Sequence, residues 1–309
     1  MTAGPPLLVL AGPTATGKTG VSIAIAEALA RDGVPTEIIS ADSRQVYRGL
    51  DIGTAKIGPD ARRGIPHHGL DLVDPDQPFT VADFVAHARQ ALSGIAQRGG
   101  VAILVGGTGL YLRAVARGID TAALPSDPEV RARLEGELAS AGLEPLVARL
   151  RAIAPKRAAT IDLRNPRRVV RALEIAELAG DVAAPPFRGY DGAVRWVGLD
   201  VERSVHGEWI ERRAREQFAS GLIDEAKSLR ERYREDLAAF SAIGYREAWS
   251  VLDGRASVDE AISADARRNV AFAKRQRTWF KAEPGVEWLD GAADAVPRAV
   301  AAARSLLPG

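Results

Sequence analysis

Residues 12 to 19 read Gly-Pro-Thr-Ala-Thr-Gly-Lys-Thr, directly after the apolar run Leu7-Leu8-Val9-Leu10-Ala11 and just before the helical stretch Val21 to Leu29. A strand that passes through a G-x-x-x-x-G-K-T loop into a helix leaves few choices of fold. Gly12 and Gly17 let the backbone turn so that several N–H groups converge on one anion. The helix presents the positive end of its dipole to the same spot. Lys18 adds a mobile full charge, and the Thr19 hydroxyl offers a ligand for Mg²⁺. Gly12, Pro13, Thr14, Ala15, Thr16, Gly17, Lys18 and Thr19 are therefore the expected diphosphate-binding residues, with Mg²⁺ as cofactor. The loop is silent on what the phosphates are attached to and on which bond breaks.

Two further short strands extend the core. Glu37-Ile38-Ile39-Ser40 ends at Ala41-Asp42-Ser43, and Val101 to Val105 ends at Gly106-Gly107-Thr108-Gly109. Continuous apolar runs of this kind suit a parallel sheet covered on both faces. With the helical stretch Val81 to Gln97 before the third strand, the order is that of a doubly wound α/β core, whose ligands gather outside the carboxyl ends of the strands. From Pro125 the texture turns to Ala, Leu, Arg and Glu, with helical stretches at Pro128 to Ala141, Glu144 to Ile153 and Arg167 to Leu178; Pro185-Pro186 closes it. A strand returns at Val194 to Val201. The remainder reads as helix, at Trp209 to Ala219, Ile223 to Tyr233, Tyr245 to Leu252 and Val258 to Lys281, with Gly221 and Gly244 as breaks. The fold class is thus α/β, a P-loop NTPase-like doubly wound parallel sheet (1–124 plus 188–309) with an all-helical insertion (125–187).

Composition mainly excludes. The 309 residues contain no cysteine, so there is no disulfide framework, thiolate metal site or Cys nucleophile, which fits a cytoplasmic protein. The N-terminus lacks a basic n-region, and Leu7 to Ala11 is too short to span a bilayer, so no membrane partner is expected. Lys plus Arg is 41 against 40 for Asp plus Glu, which leaves global charge silent about partners. Local charge is informative. Arg164, Arg167, Arg168 and Arg171 lie close together, and the run from Arg267 to Lys281 has six cations and no acid. On a helix Lys274, Arg277 and Lys281 share a face, expected to meet RNA, with Trp279 in the core. His67-His68 reads as a turn, because four histidines and no cysteine make a poor zinc set.

A P-loop alone suggests a kinase, in which an apolar strand often ends in an Asp that helps hold Mg²⁺. Here Val101 to Val105 ends in Gly-Gly-Thr-Gly, and the acid is on the earlier strand, in the block Asp42-Ser43-Arg44-Gln45-Val46-Tyr47-Arg48-Gly49-Leu50-Asp51-Ile52-Gly53-Thr54-Ala55-Lys56. This block and Gly106-Gly107-Thr108-Gly109-Leu110-Tyr111 resemble the tRNA dimethylallyltransferases, which share their core with adenylate isopentenyltransferases. Pro66 to Asp71, Arg168 to Glu174, Ile243 to Glu247 and Ala273 to Phe280 carry the resemblance, in order, along nearly the whole chain.

The resemblance implies transfer of a dimethylallyl group from dimethylallyl diphosphate to N6 of adenosine 37, in the tRNA anticodon stem-loop, by a monomeric enzyme. It makes Asp42 the candidate general base, Thr108 a contact at the reacting centre and Lys18 the stabiliser of the leaving group. It assigns tRNA contacts to Asp42, Ser43, Arg44, Gln45 and Thr108, to Arg131, Pro166, Arg167 and Arg168 of the insertion, and to Lys274, Arg275 and Gln276. There are departures. Ile57 replaces a Pro, Asp162-Leu163-Arg164-Asn165 replaces His-Pro-Asn-Asp, and Trp209-Ile210 replaces Arg-Ile, so that Arg212 or Arg213 is left to grip the diphosphate if that Arg does so. The competing readings are an adenylate isopentenyltransferase, a P-loop nucleotide kinase and a non-catalytic RNA-binding protein.

Overall fold

Strand β1 (Leu7–Ala11) is buried at every residue, and this places it at the centre of a sheet covered on both sides. The computed structural model describes residues 4–121, 123–291 and 295–307. From β1 the chain runs through α1 (Lys18–Arg31), β2 (Thr36–Ser40), β3 (His67–His68), α2 (Val81–Gln97), β4 (Val101–Gly106) and α3 (Gly109–Ala116). It continues through α4 (Pro128–Ala141), α5 (Leu143–Ile153), α6 (Pro155–Thr160) and α7 (Pro166–Ala179). It then returns to the sheet as β5 (Val194–Asp200), followed by α8 (Arg203–Ala219), α9 (Leu222–Arg232), α10 (Tyr245–Leu252), α11 (Val258–Lys281), β6 (Val286–Asp290) and α12 (Ala295–Arg304).

The sheet is parallel throughout, in the order β3-β2-β4-β1-β5-β6. Alternation sorts the side chains of β1. Leu8 and Leu10 join Ile25 and Leu29 of α1 and Ala299 and Val300 of α12 in one core layer. On the sheet's other side lie α2 and α3, joined by the stacked rings of Phe84 and Tyr111, 4.1 Å apart. Because every strand points the same way, the loops after β1, β2, β4 and β5 emerge on one edge.

A second core lies among the later helices. Val46, Tyr47 and Leu50, in the loop after β2, pack on Phe218 of α8, Leu222 and Leu229 of α9, and Tyr245 and Trp249 of α10. Glu225 of α9 fixes the same loop by accepting hydrogen bonds from the backbone N–H groups of Asp51, Ile52 and Gly53. Lys56, whose side chain is 3% exposed, is tied to the Tyr47 carbonyl and to Asp51 and Asp71, so it is fully engaged in holding the loop.

The chain divides into two compact units, Met1–Gly118 with Gly189–Gly309, and Ile119–Arg188. The second is a helical bundle around Leu134, Leu146, Leu150, Val169 and Leu173. Asp127 caps α4 and Asn165 caps α7, each followed by a proline whose missing N–H is not needed in the first turn. Glu174 of α7 is fully buried, bridged to Arg131 and Arg171.

Three sequence expectations are corrected. The chain after β5 is not helix alone, because β6 pairs with β5 at the sheet edge. Its signal is a bare Val-Glu-Trp-Leu-Asp, and Trp288 covers Gly198, where a Cβ would stand 2.8 Å from the indole ring. Helix α8 begins six residues before Trp209, at Arg203, because Glu202 serves as its cap and accepts from Ser204 and Val205. His67 and His68 form the short edge strand β3; His67 Nδ1 bonds the Ile65 carbonyl and His68 Nε2 bonds Glu37. No helix among the described residues is long and apolar enough to cross a membrane.

Candidate active site

The loop after β1 has the backbone that its sequence demands. Gly12, at φ +148, brings its Cα so near β5 that a Cβ would lie 2.5 Å from the Leu199 carbonyl oxygen. Ala15 (φ 58) and Gly17 (φ 80) take left-handed conformations, which turn successive N–H groups toward a common centre. Helix α1 starts at Lys18, directly behind them.

Thr14 is the residue through which the rest of the protein holds this loop. Its N–H donates to Gln276 Oε1 of α11 at 2.8 Å. Its hydroxyl accepts from Arg213 Nη1 of α8 at 2.7 Å. Its carbonyl is bonded by His206 Nε2 of α8 at 2.8 Å. The tautomer of His206 follows from its other nitrogen: Arg277 Nη2 faces Nδ1 at 3.1 Å and can only donate, so Nδ1 is bare and Nε2 carries the proton. Burial pushes the imidazole below its usual range, which keeps it neutral. Arg277 is in turn paired with Asp200, at the carboxyl end of β5, at 2.7 Å.

Facing the P-loop is the turn after β2. Asp42 Oδ1 accepts from the Arg44 N–H at 2.8 Å, an Asx-type turn that fixes the carboxylate. Thr108, after β4, accepts from the Ser43 N–H at 3.0 Å through its hydroxyl and donates its own N–H to the Ala41 carbonyl. Gln276 closes the ring by donating to the Gly107 carbonyl at 2.8 Å. One glutamine amide thus joins the two loops because it carries a donor and an acceptor on one plane.

Two adjoining cavities fill the space between these loops. One, of about 210 Å³, is lined by Thr14 to Thr19. The other, of about 380 Å³, is lined by Ser43, Arg44, Thr108, Ile243, Phe272 and Arg275 among others. Asp42, Arg213 and Gln276 line both and so stand at the junction. Burial first, and then the Arg213 charge, lower Lys18 to about 7, with Asp42 partly opposing them. The Lys18 ammonium donates to the Pro13 carbonyl and waits at the loop as a cation that sheds its proton easily.

The expected site residues are placed unequally. Thr14 to Thr19 of the P-loop, Asp42, Ser43, Arg44, Gln45, Thr108, Arg275 and Gln276 line one cavity or the other, whereas Gly12 and Pro13 line neither. Of the two arginines offered for the diphosphate, Arg213 is in the site, whereas Arg212 lies outward beside Glu216. Arg131, Pro166, Arg167 and Arg168 belong to the other compact unit. There Arg131 bonds Glu174, and Arg167 and Arg168 are exposed on the first turn of α7. Gln276, expected at RNA, is largely buried, braces the two loops and lines both cavities. The basic face of α11 is broken, because Arg277 turns inward to Asp200 and His206, while Lys274 and Arg275 stay exposed. Trp279 is not core. It is half-buried, lies against Gly109 and carries the Arg113 guanidinium 4.3 Å from its ring. The sequence reading missed His206 and Asp200; Asp200 had a signal, since it is an acid at the carboxyl end of a strand.

A parallel sheet with this loop on its carboxyl edge, faced by a fixed carboxylate, defines a P-loop-type α/β protein. The description "IPP transferase" belongs to the family model that matches residues 45–283. The chain is 44% identical over 289 residues to a tRNA dimethylallyltransferase of Kineococcus radiotolerans, with 92% of this chain and 90% of that protein covered. It is 43% identical over 290 residues to the protein of that name from Geobacillus thermodenitrificans, with the same coverage. The crystal structure of a full-length tRNA isopentenylpyrophosphate transferase from Bacillus halodurans matches with a TM-score of 0.70 at 40% identity, over 97% of this chain and 95% of that one. The chain belongs to the tRNA dimethylallyltransferase family.

Proposed function

We propose that the protein moves a dimethylallyl group from dimethylallyl diphosphate to N6 of adenosine 37 beside the tRNA anticodon, releasing diphosphate. The observation that carries this reading is the junction of the two cavities, where Asp42 and Arg213 stand between the P-loop and the larger chamber. On this reading the diphosphate lies in the smaller chamber, and the reacting carbon and the adenine amine meet at the junction.

The allylic C–O bond breaks as the N6–C bond forms, and negative charge builds on the diphosphate. The loop N–H groups, Lys18 and Arg213 absorb that charge, and they do so without reorganising because Thr14 is already held on three sides. The amine is a weak nucleophile, since its lone pair is delocalised into the ring. Asp42 takes its proton; positioned bases of this kind contribute about 10²–10⁴ in rate. Thr108 keeps Asp42 in place through the Ser43 N–H and lines the chamber where the base enters.

Mg²⁺ fits the site in one respect. Thr19 lines the smaller chamber, and no cluster of three or more acidic or His ligands exists among the described residues. Thr19 would be the protein ligand to such an ion, whose remaining positions diphosphate and water would fill, as is common for Mg²⁺. When bound it supplies charge neutralisation of the leaving group. The exposed Arg167 and Arg168, with Lys274 and Arg275, are the candidates for phosphate contacts to tRNA.

The test is incubation with Mg²⁺, labelled dimethylallyl diphosphate and either unmodified tRNA or AMP, followed by digestion to nucleosides. Label on N6 of adenosine 37 is the expected result. Label on AMP moves the protein to the adenylate branch, and label on neither overturns the proposal.

A further inference from the structure

Among the described residues, two buried polar atoms of opposite character stand without hydrogen-bond partners where α8 packs on α11. They are Nε of Arg213 and Oδ2 of Asp265. Interiors leave few such atoms, and each calls for an account. Asp265 is 1% exposed. Its Oδ1 accepts from Asn269 Nδ2 at 2.7 Å, and Asn269 itself lines the larger chamber. Its Oδ2 lies against Gly244, where a Cβ would stand 3.3 Å away, so this side of the carboxylate meets bare backbone.

The nearby charges assign its partner. Glu247 of α10 is the other buried acid of this layer; it pairs with Arg268 and accepts the Gly244 N–H. With Arg268 engaged there, the cation left for Asp265 is Arg213. The Asp265 carboxyl is pushed up to about 6, by burial first with Glu247 adding to it, against the downward pull of the Asn269 hydrogen bond, Arg213 and Arg268. Two acids, Asp42 first and Asp265 second, favour the charge on Arg213 against its own burial. Arg213 is therefore a guanidinium that feels both a carboxylate lining the site, Asp42, and a buried one on α11, Asp265.

We propose that Asp265 is a positioning residue for the diphosphate end of the reaction. Its carboxylate holds the Arg213 guanidinium by charge, so that Nη1 stays on Thr14 and the cation stays at the junction of the chambers. The proposal rests on the reading that Arg213 binds the diphosphate. A residue of merely structural value would be an odd choice here, since an acid with an unpartnered buried oxygen weakens the fold it sits in.

The experiment measures KM for dimethylallyl diphosphate, KM for tRNA and Tm in Asp265→Asn, Arg213→Ala and the double variant. Asn keeps the acceptor for Asn269 and presents an amide N–H₂ to the guanidinium in place of a negative oxygen. Asp265→Asn is expected to raise KM for dimethylallyl diphosphate about 3- to 30-fold, within the range of coupling between neighbouring residues. The tRNA KM and Tm should hold, and in the Arg213→Ala background the effect should shrink below about twofold. An unmoved KM for dimethylallyl diphosphate with a lowered Tm would make Asp265 structural. An equal effect in both backgrounds would separate it from Arg213. If Arg213→Ala alone leaves KM for dimethylallyl diphosphate unchanged, the reading of Arg213 fails first and takes the Asp265 proposal with it.

Discussion

Lys18 makes the diphosphate affinity of this site depend on pH in a way that can be worked out beforehand. In the free protein its ammonium is lowered to about 7, by burial first and then by the Arg213 charge. A bound diphosphate places full negative charge beside it and returns it toward its ordinary value near 10.5. The protonated form therefore binds, and affinity is retained below the free-state value and lost as pH rises through it. Between pH 7.5 and 9 the protonated fraction of the free protein falls about 25-fold, so Kd should rise by about that factor. The ionisation of the ligand is nearly complete in this window and adds little. Calorimetric titration with dimethylallyl diphosphate, a monoester whose last ionisation lies below this window, in two buffers of different ionisation enthalpy gives both Kd and the protons taken up. Proton uptake should approach one per site at pH 9. Lys18→Arg, whose charge does not titrate here, should bind with a flat profile. A flat profile in the unaltered protein, with no proton uptake, would refute the argument.

The other predictions concern separate parts of the structure. Asp42→Asn should cut turnover by about 10²–10⁴ with tRNA Kd nearly unchanged, measured by single-turnover kinetics and filter binding; equal loss of both would make Asp42 a recognition residue. Gln276→Ala removes the link between Thr14 and Gly107 and should raise KM for dimethylallyl diphosphate about tenfold while sparing tRNA KM. The reverse pattern would return Gln276 to the RNA. Replacing Arg167 and Arg168 by Ala should raise tRNA KM and flatten its salt dependence without slowing the chemical step. Glu174→Gln should lower the stability of the helical unit, read by thermal melting, by about 2–3 kcal/mol. That is less than for a fully buried pair, because Arg131 and Arg171 keep side-chain exposures of 37% and 35% and can return to water.

What the sequence determined by itself are the features set by neighbours along the chain. The P-loop is legible because Gly12, Gly17 and Lys18 have to stand at fixed spacing between a strand and a helix. The ends of α2 and α4 are legible because a capping Thr80 with Asp83, and Asp127 with Pro128, satisfy first-turn groups locally. Asp42 and Thr108 could be proposed because each follows the carboxyl end of a parallel strand, and such ends share one edge. Strand β6 was not legible, since five mixed residues become a strand only when β5 offers an edge. The brace on Thr14 was not legible either. Gln276, Arg213 and His206 reach it from 262, 199 and 192 residues away, and no local spacing records such a meeting. The same reason divides α11. One helical face of Lys274, Arg277 and Lys281 looks uniform in sequence, yet tertiary packing turns Arg277 toward Asp200 and leaves Lys274 exposed. Periodicity tells which residues share a helix face; only the packed neighbours decide whether a cation on that face meets solvent or a buried acid.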